Sequence, residues 1–218
     1  SSNQKQDPHS LTPTDTGMIV GRNVAGYVDN GAKTTVIIGA HYDHLGYGEH
    51  GSLHSGEPAI HNGADDNASG VAVLLQLAEK LKSSNKTNNY LFICFSGEER
   101  GLWGSNFFTK EPTVKLENVN YMVNMDMVGR LNTEYKLAVN GTGTSPVWKE
   151  LLEKLAEDKF RLVLSESGVG PSDHTSFYLK DIPVLHFFTG QHEDYHKPSD
   201  DVEKVNFEGM ESITSYIF

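Results

Sequence analysis

Two hydrophobic periods divide this chain. Runs of β-branched and aromatic residues, at Val24 to Val28, Thr34 to Gly39, Tyr90 to Phe95, Tyr121 to Met125 and Pro183 to Phe188, read as strands. TTVIIGA and LFICF are almost continuously apolar, the pattern of strands covered on both faces rather than one. Between them, apolar residues recur at helical spacing. Val71, Leu74, Leu75, Ala78 and Leu81 form one such stripe, with Ser69 as its expected cap. Trp148, Leu151, Leu152 and Leu155 form another after the start signal Ser145-Pro146, and a third begins near Phe207 and runs to Phe218. Strands alternating with helices predict an α/β fold with a largely parallel inner sheet. Asn30-Gly31 predicts a hairpin turn from the first strand into the second. The glycine- and histidine-rich stretch from Gly46 to Asn62 is the longest loop, and it joins two motifs, so it is expected to border a site.

At 218 residues the chain suits one domain, taken as 1–218, with residues 1–15 read as a polar tail or a trimmed boundary. No apolar run approaches the length of a membrane span, and no signal-peptide pattern opens the chain. The net charge of −11, with basic residues scattered, argues against nucleic acid as a partner, because phosphate binding needs a basic face. Cys94 is the single cysteine, which rules out an internal disulfide. Its place in LFICF reads as a buried structural thiol.

The chemistry lies just beyond the apolar runs. His41 and Asp43 follow TTVIIGA, Glu98 and Glu99 follow LFICF, and Asp126 follows YMVNM. Open α/β sheets bind ligands outside the carboxyl ends of their strands, so these groups converge on one edge. Residues two apart on extended backbone face the same way. One of His41 and Asp43 can therefore bind a metal while the other orients it. NGADDNASG places Asp65 and Asp66 in a sharp turn before a helix. Adjacent glutamates at a strand end can divide labour, one as metal ligand and one as general base toward water. Asp126, an acid between two methionines, needs a cation or several donors. His196 in DYHKPSD joins the set through the company it keeps. His50, His54 and His61 are expected to face solvent or substrate, His174 to support the site or start a helix, and His186 to lie in the core. No nucleophile elbow, Walker loop or dinucleotide fingerprint is present.

In order along the chain, AHYDHLG, GADDNASG, SGEERGLWGS, NMDMVG, SDHTSF and DYHKPSD resemble the M28 family of zinc exopeptidases, from about Thr34 to Val205. The resemblance implies a three-layer α/β/α sandwich and aminopeptidase activity on peptides with a free amino terminus. It implies two divalent cations, zinc by expectation. His41 and Asp126 would hold one and Glu99 and His196 the other, with Asp66 rather than Asp65 bridging them. Glu98 would be the general base toward metal-activated water, Asp43 would orient His41, and Tyr195 would stabilise the oxyanion. It also implies a cis peptide at Asp66-Asn67. Pro171 stands where some members carry an arginine before Ser-Asp-His, so oxyanion stabilisation falls to the metals and Tyr195. Bacterial members are often exported, which makes a periplasmic or secreted address the expectation.

Three other readings stay open on these residues. A metallo-carboxypeptidase or N-acyl amino acid deacylase would use a similar ligand order, and Arg100 and Arg130 lie near motifs without being placed in a pocket. A one-zinc glutaminyl cyclase is a further option. A binding domain that kept the fold and lost catalysis would lack ligands or base, and all are present here.

Overall fold

The computed structural model describes residues 20–218, so the expected tail at 1–15 lies outside the described residues. Among the described residues seven strands form one sheet. They are β1 (Val24–Val28), β2 (Thr35–His41), β3 (Asn89–Phe95), β4 (Val119–Met125), β5 (Lys136–Asn140), β6 (Arg161–Ser165) and β7 (Val184–Phe188). Their order is β1-β3-β2-β4-β7-β5-β6. β3, β2, β4 and β7 run parallel, as do β5 and β6, while β1 on β3 and β5 on β7 are antiparallel. The expected mixed, mostly parallel sheet is what the chain forms.

Among the described residues five α-helices cover it: α1 (Gly70–Ser83), α2 (Trp103–Lys110), α3 (Trp148–Ala156), α4 (His174–Tyr178) and α5 (Phe207–Ile217). Alternation along the central strands assigns them to layers. Val36, Ile38 and Ala40 pack with Val73, Leu74 and Leu77 of α1, Leu152 of α3 and Ile213 of α5. Ile37, Leu91, Ile93 and Phe95 point the other way, onto Phe108 of α2 and Phe177 of α4. With both faces covered, every position from Thr35 to His41 is buried, which is why the run carries no polar alternation. Burying each valine, isoleucine, leucine or phenylalanine of these two faces contributes about 1.5–3 kcal/mol. Cys94 is half-buried against the α1 side, and burial raises its thiol pKa. Among the described residues no helix is long and apolar enough to cross a membrane.

Two local expectations are corrected. β1 does not form a hairpin with β2; it lies antiparallel on the far side of β3. Both edges of β2 are taken by β3 and β4, which leaves it no free edge for β1. The Asn30-Gly31 segment instead folds over the start of β3. Asn89 Oδ1 accepts from the Asn30 and Ala32 amides at 2.9 and 3.1 Å, and its Nδ2 donates to the Ala32 carbonyl at 2.8 Å. Ser69 does not cap α1, since its own backbone is already helical. Its hydroxyl lies 2.7 Å from the Asp65 carbonyl and accepts from the Val128 amide at 3.1 Å. The Gly70 amide is met by Asn67 Oδ1 at 3.1 Å, so the cap comes from the GADDN turn itself.

Asn89 is 6% exposed and makes all three of those bonds, so truncating it strands two amides and a carbonyl. We expect Asn89→Ala to lower unfolding free energy by about 2–4 kcal/mol, at roughly 1–3 kcal/mol per stranded buried group with partial rescue by water. Urea titration followed by circular dichroism measures it. A loss below about 0.5 kcal/mol, the scatter of surface substitutions, would show that the tie over β3 is dispensable.

Candidate metal centre

Because β2, β3 and β4 run parallel, their carboxyl ends share one edge of the sheet. His41 is the last residue of β2, Asp126 directly follows β4, and Glu98 and Glu99 follow β3 after Gly97, whose φ of 72° turns the chain. Tyr195 and His196 arrive from the loop after β7, with His196 in the left-handed region at φ 55°. Asp66 comes from the irregular turn Ala64–Ser69, where the Asp66–Asn67 peptide is cis. Together these residues line a cleft of about 280 Å³, closed on its other walls by Met127, Asn140, Pro171, His186, Phe188 and Gln191.

Asp66 divides its two oxygens. His41 Nε2 stands 3.3 Å from Asp66 Oδ1 and 3.4 Å from Asp126 Oδ1. His196 Nε2 stands 3.3 Å from Asp66 Oδ2 and 3.2 Å from Glu99 Oε2. Donors about 2.0–2.2 Å from a tetrahedral ion lie roughly 3.3 Å apart, so both groups fit a cation held by imidazole and carboxylate. Each histidine is aimed by a backbone carbonyl. His41 Nδ1 bonds the Asp43 carbonyl at 3.1 Å and His196 Nδ1 bonds the Gly51 carbonyl at 2.8 Å, so each presents Nε2 to the carboxylates. The Gly51 contact brings the long loop to the site, as its position between motifs predicts.

The surrounding polar groups hold backbone. Asp43 keeps its carboxylate for the Glu98 and Glu99 amides, at 3.1 and 3.3 Å, and stands 3.8 Å from His41 Nδ1. It therefore bears on His41 through its carbonyl more than its carboxylate. Asn67 donates to the Met125 carbonyl at 3.0 Å and accepts from the Met127 amide at 3.1 Å, fastening the turn to β4. Asp65 turns away from the cleft. It is fully buried, taking the Gly129 amide at 2.6 Å on Oδ1 and His192 Nε2 at 3.0 Å on Oδ2. Asp200 Oδ2 accepts the amides of both Asp65 and Asp66, while Arg130 spans Asp194 and Asp200 at 3.0 and 3.2 Å. Arg130 is thus spent within the fold and does not reach for substrate.

Burial and charge split the two glutamates. Burial, aided by the carboxylates of Asp126, Asp173 and Glu99 against the pull of His41, pushes Glu98 up to about 9. Burial opposes ionisation of Glu99 as well, yet hydrogen bonds from His196 and His44 hold it down at about 2. His196 loses by burial and gains more from Asp66 and Glu99, ending at about 10. Burial and the surrounding carboxylates keep the Tyr195 hydroxyl protonated, and its ring stacks on His196 at 3.8 Å.

The other histidines divide. His50 and His54 are exposed, but His61 is 5% exposed, bonded to Ser52 Oγ at 2.8 Å and to the Ala59 carbonyl at 2.9 Å, which removes the solvent-facing alternative of the two expected for it. His174 starts α4, buried and stacked on His186 at 4.4 Å. His186 is the core residue expected, and its edge also reaches the cleft. The residue that sequence reasoning passed over is His44. Its Nδ1 lies 2.8 Å from Glu99 Oε1, and donors from His44, Asp66 and Glu99 all fall within 4.8 Å of one another. The repeat of histidine three positions after His41 was the available signal.

A model of peptidase family M28 matches residues 23–218. The chain belongs to peptidase family M28. It is 31% identical over 192 residues to aminopeptidase YwaD of Bacillus subtilis, covering 81% of this chain and 38% of that protein. It superposes on the crystal structure of BSAP, a zinc aminopeptidase from Bacillus subtilis, with a TM-score of 0.72 at 27% identity, over 89% of this chain and 48% of that one. A Zn-dependent exopeptidase from Parabacteroides distasonis shares the fold, with a TM-score of 0.76 at 21% identity over 95% of this chain and 80% of its own. This M28 chain spans about half, or less, of the length of the curated relatives it matches.

The shifts carry a pH signature. His41, raised well above the usual imidazole range, His196 at about 10 and Glu98 at about 9 all bind protons more tightly folded than unfolded. Stability from such groups is full below their unfolded pKa and is lost as pH rises through the folded one. The buried His174, lowered to about 2, costs stability only below the imidazole range. Chelator-treated protein should therefore melt at a lower temperature at pH 9 than at pH 6.5, and added zinc should shrink that difference. Differential scanning calorimetry at the two pH values decides it; equal melting temperatures would mean that these groups do not control the site.

Proposed function

We propose that this chain is the catalytic part of a two-cation aminopeptidase that removes single residues from the amino ends of peptides. The observation that carries the proposal is the division of Asp66, one oxygen on the His41–Asp126 side and one on the His196–Glu99 side. When bound, two divalent cations would polarise the scissile carbonyl and make water acidic near neutral pH. The remaining work belongs to the chain. Glu98 lines the cleft outside both donor groups, with its amide pinned by Asp43, so its carboxylate is free to accept a proton from the attacking water and pass it to the leaving amine. Its burial favours the proton-bound form, and nearby cations would draw it back toward the range a base needs. The Tyr195 hydroxyl, still protonated, donates to the oxygen that becomes negative.

Polarity follows from charge. Among the described residues lining the cleft there is no lysine or arginine to hold a terminal carboxylate. Arg130, one of the two arginines near the motifs in sequence, is engaged by Asp194 and Asp200. With no basic side chain in the described lining to hold a terminal carboxylate, the cleft favours aminopeptidase over carboxypeptidase.

Assay of aminoacyl-p-nitroanilides beside N-acetylated and C-terminally amidated peptides, with metal quantified in the same sample, tests the reading. Cleavage only with a free amino end, lost to chelator and restored by zinc, is the expected result; cleavage of N-blocked substrates from the carboxyl end would replace it with a carboxypeptidase or deacylase. Glu98→Gln should lower kcat by roughly 10²–10⁴-fold while metal content stays near that of the unsubstituted chain.

A further inference from the structure

His44 stands outside the residues that the family resemblance assigns. Its ring is 11% exposed and lies between the end of β2 and the turn that carries Asp66. Gly63 of that turn packs against it so closely that a Cβ there would come 2.7 Å from the ring. Nδ1 lies 2.8 Å from Glu99 Oε1 and 3.9 Å from Asp66 Oδ2, while Nε2 is buried without a partner.

Distances separate two roles for such a ring. A shared ion sets its donors roughly 3.3 Å apart, as between His196 and both Asp66 and Glu99. The His44–Glu99 contact is shorter than that and falls in the range of a charge-assisted hydrogen bond, while the Asp66 contact is longer. A carboxylate that ligates a cation can only accept, so the hydrogen of this contact would sit on His44 Nδ1. Each oxygen of Glu99 therefore faces a different imidazole.

We propose that His44 is a positioning residue of the metal centre. Resting on the two-cation reading, its Nδ1–H fixes Glu99 Oε1 so that Oε2 alone is presented, with His196 and Asp66, to one cation. Without it the carboxylate is free to rotate or to bind through both oxygens, and the site that contains Glu99 loses affinity. The site built on His41 and Asp126 keeps its own donors.

Zinc competition against a chromophoric chelator, on the metal-depleted full chain, tests this with two variants. His44→Leu fills the space without a donor; His44→Asn keeps an amide N–H close to the Nδ1 position. If Leu does not fold, His44→Ala takes its place. The apolar variant should bind two ions, one of them weaker by about 10–100-fold, the usual effect of removing an outer partner of a ligand, and the other unchanged. His44→Asn should recover most of the loss, and cobalt-substituted protein should show the same ligand-field spectrum with His44 or Asn. Unchanged affinity in the apolar variant would reduce His44 to packing. An Asn variant as weak as the apolar one, with an altered cobalt spectrum, would make His44 a ligand and overturn the positioning role. If the unsubstituted chain binds fewer than two ions, the two-cation reading fails first, and the proposal with it.

Discussion

Four acidic side chains, Asp66, Glu98, Glu99 and Asp126, face one cleft at the edge of a sheet whose interior is apolar. Carboxylates gathered out of water repel one another and lose hydration, a cost of several kcal/mol each if nothing offsets it. That constraint explains the surroundings. Two imidazoles, those of His41 and His196, face the acids through Nε2, and backbone carbonyls fix both rings. Cations would complete the neutralisation. A folded chain that concentrates charge in this way must obtain its stability elsewhere, and the two apolar faces of β2 and β3 supply it.

Positioning is done largely by groups that never face the cleft. Asp43 grips the amides of both glutamates, Asn67 stitches the GADDN turn to β4, and Asp200 holds the amides of Asp65 and Asp66. Each is a carboxylate or amide satisfied by main-chain groups, which fixes backbone rather than a rotatable side chain. Two adjacent glutamates can then differ in character. Glu99 meets two imidazoles and stays ionised, whereas Glu98, held up by burial and then by the carboxylates of Asp126 and Asp173, prefers a proton.

Much of this was legible in the sequence, and the boundary is physical. Continuous apolar runs identified β2 and β3 because burial on both faces removes alternation, and helical stripes identified α1 and α3. Leu75 belongs to the α1 stripe by spacing yet is 60% exposed, since one helix face cannot turn all its apolar residues inward. The partner of β1 was not legible, because it depends on Asn89 meeting a segment 59 residues away. The same holds around the site. Residue types and order brought out His41, Asp66, Glu98, Glu99, Asp126 and His196. The Asp200 carboxylate reaches Asp65 across 135 positions, and no local pattern announces such a contact. His44 was hidden differently: a third polar residue in HYDH reads as loop until Glu99, 55 positions on, is seen beside it.

Arg130 shows why residue type alone does not assign a role. A cation next to a metal motif in sequence suggests a hold on a substrate carboxylate. Its guanidinium instead spans Asp194 and Asp200, in a network that Lys204 and Ser199 extend through Asp194. Asp194 directly precedes Tyr195 and His196, and Asp200 holds the amide of Asp66. One guanidinium therefore joins the loop that brings the late histidine to the turn that brings the shared aspartate. Had it pointed into the cleft, the two halves of the His196–Asp66 pair would lack their common anchor. Its engagement in the fold leaves the described cleft lining free of lysine and arginine, so no side chain there is placed to grip a substrate's terminal carboxylate.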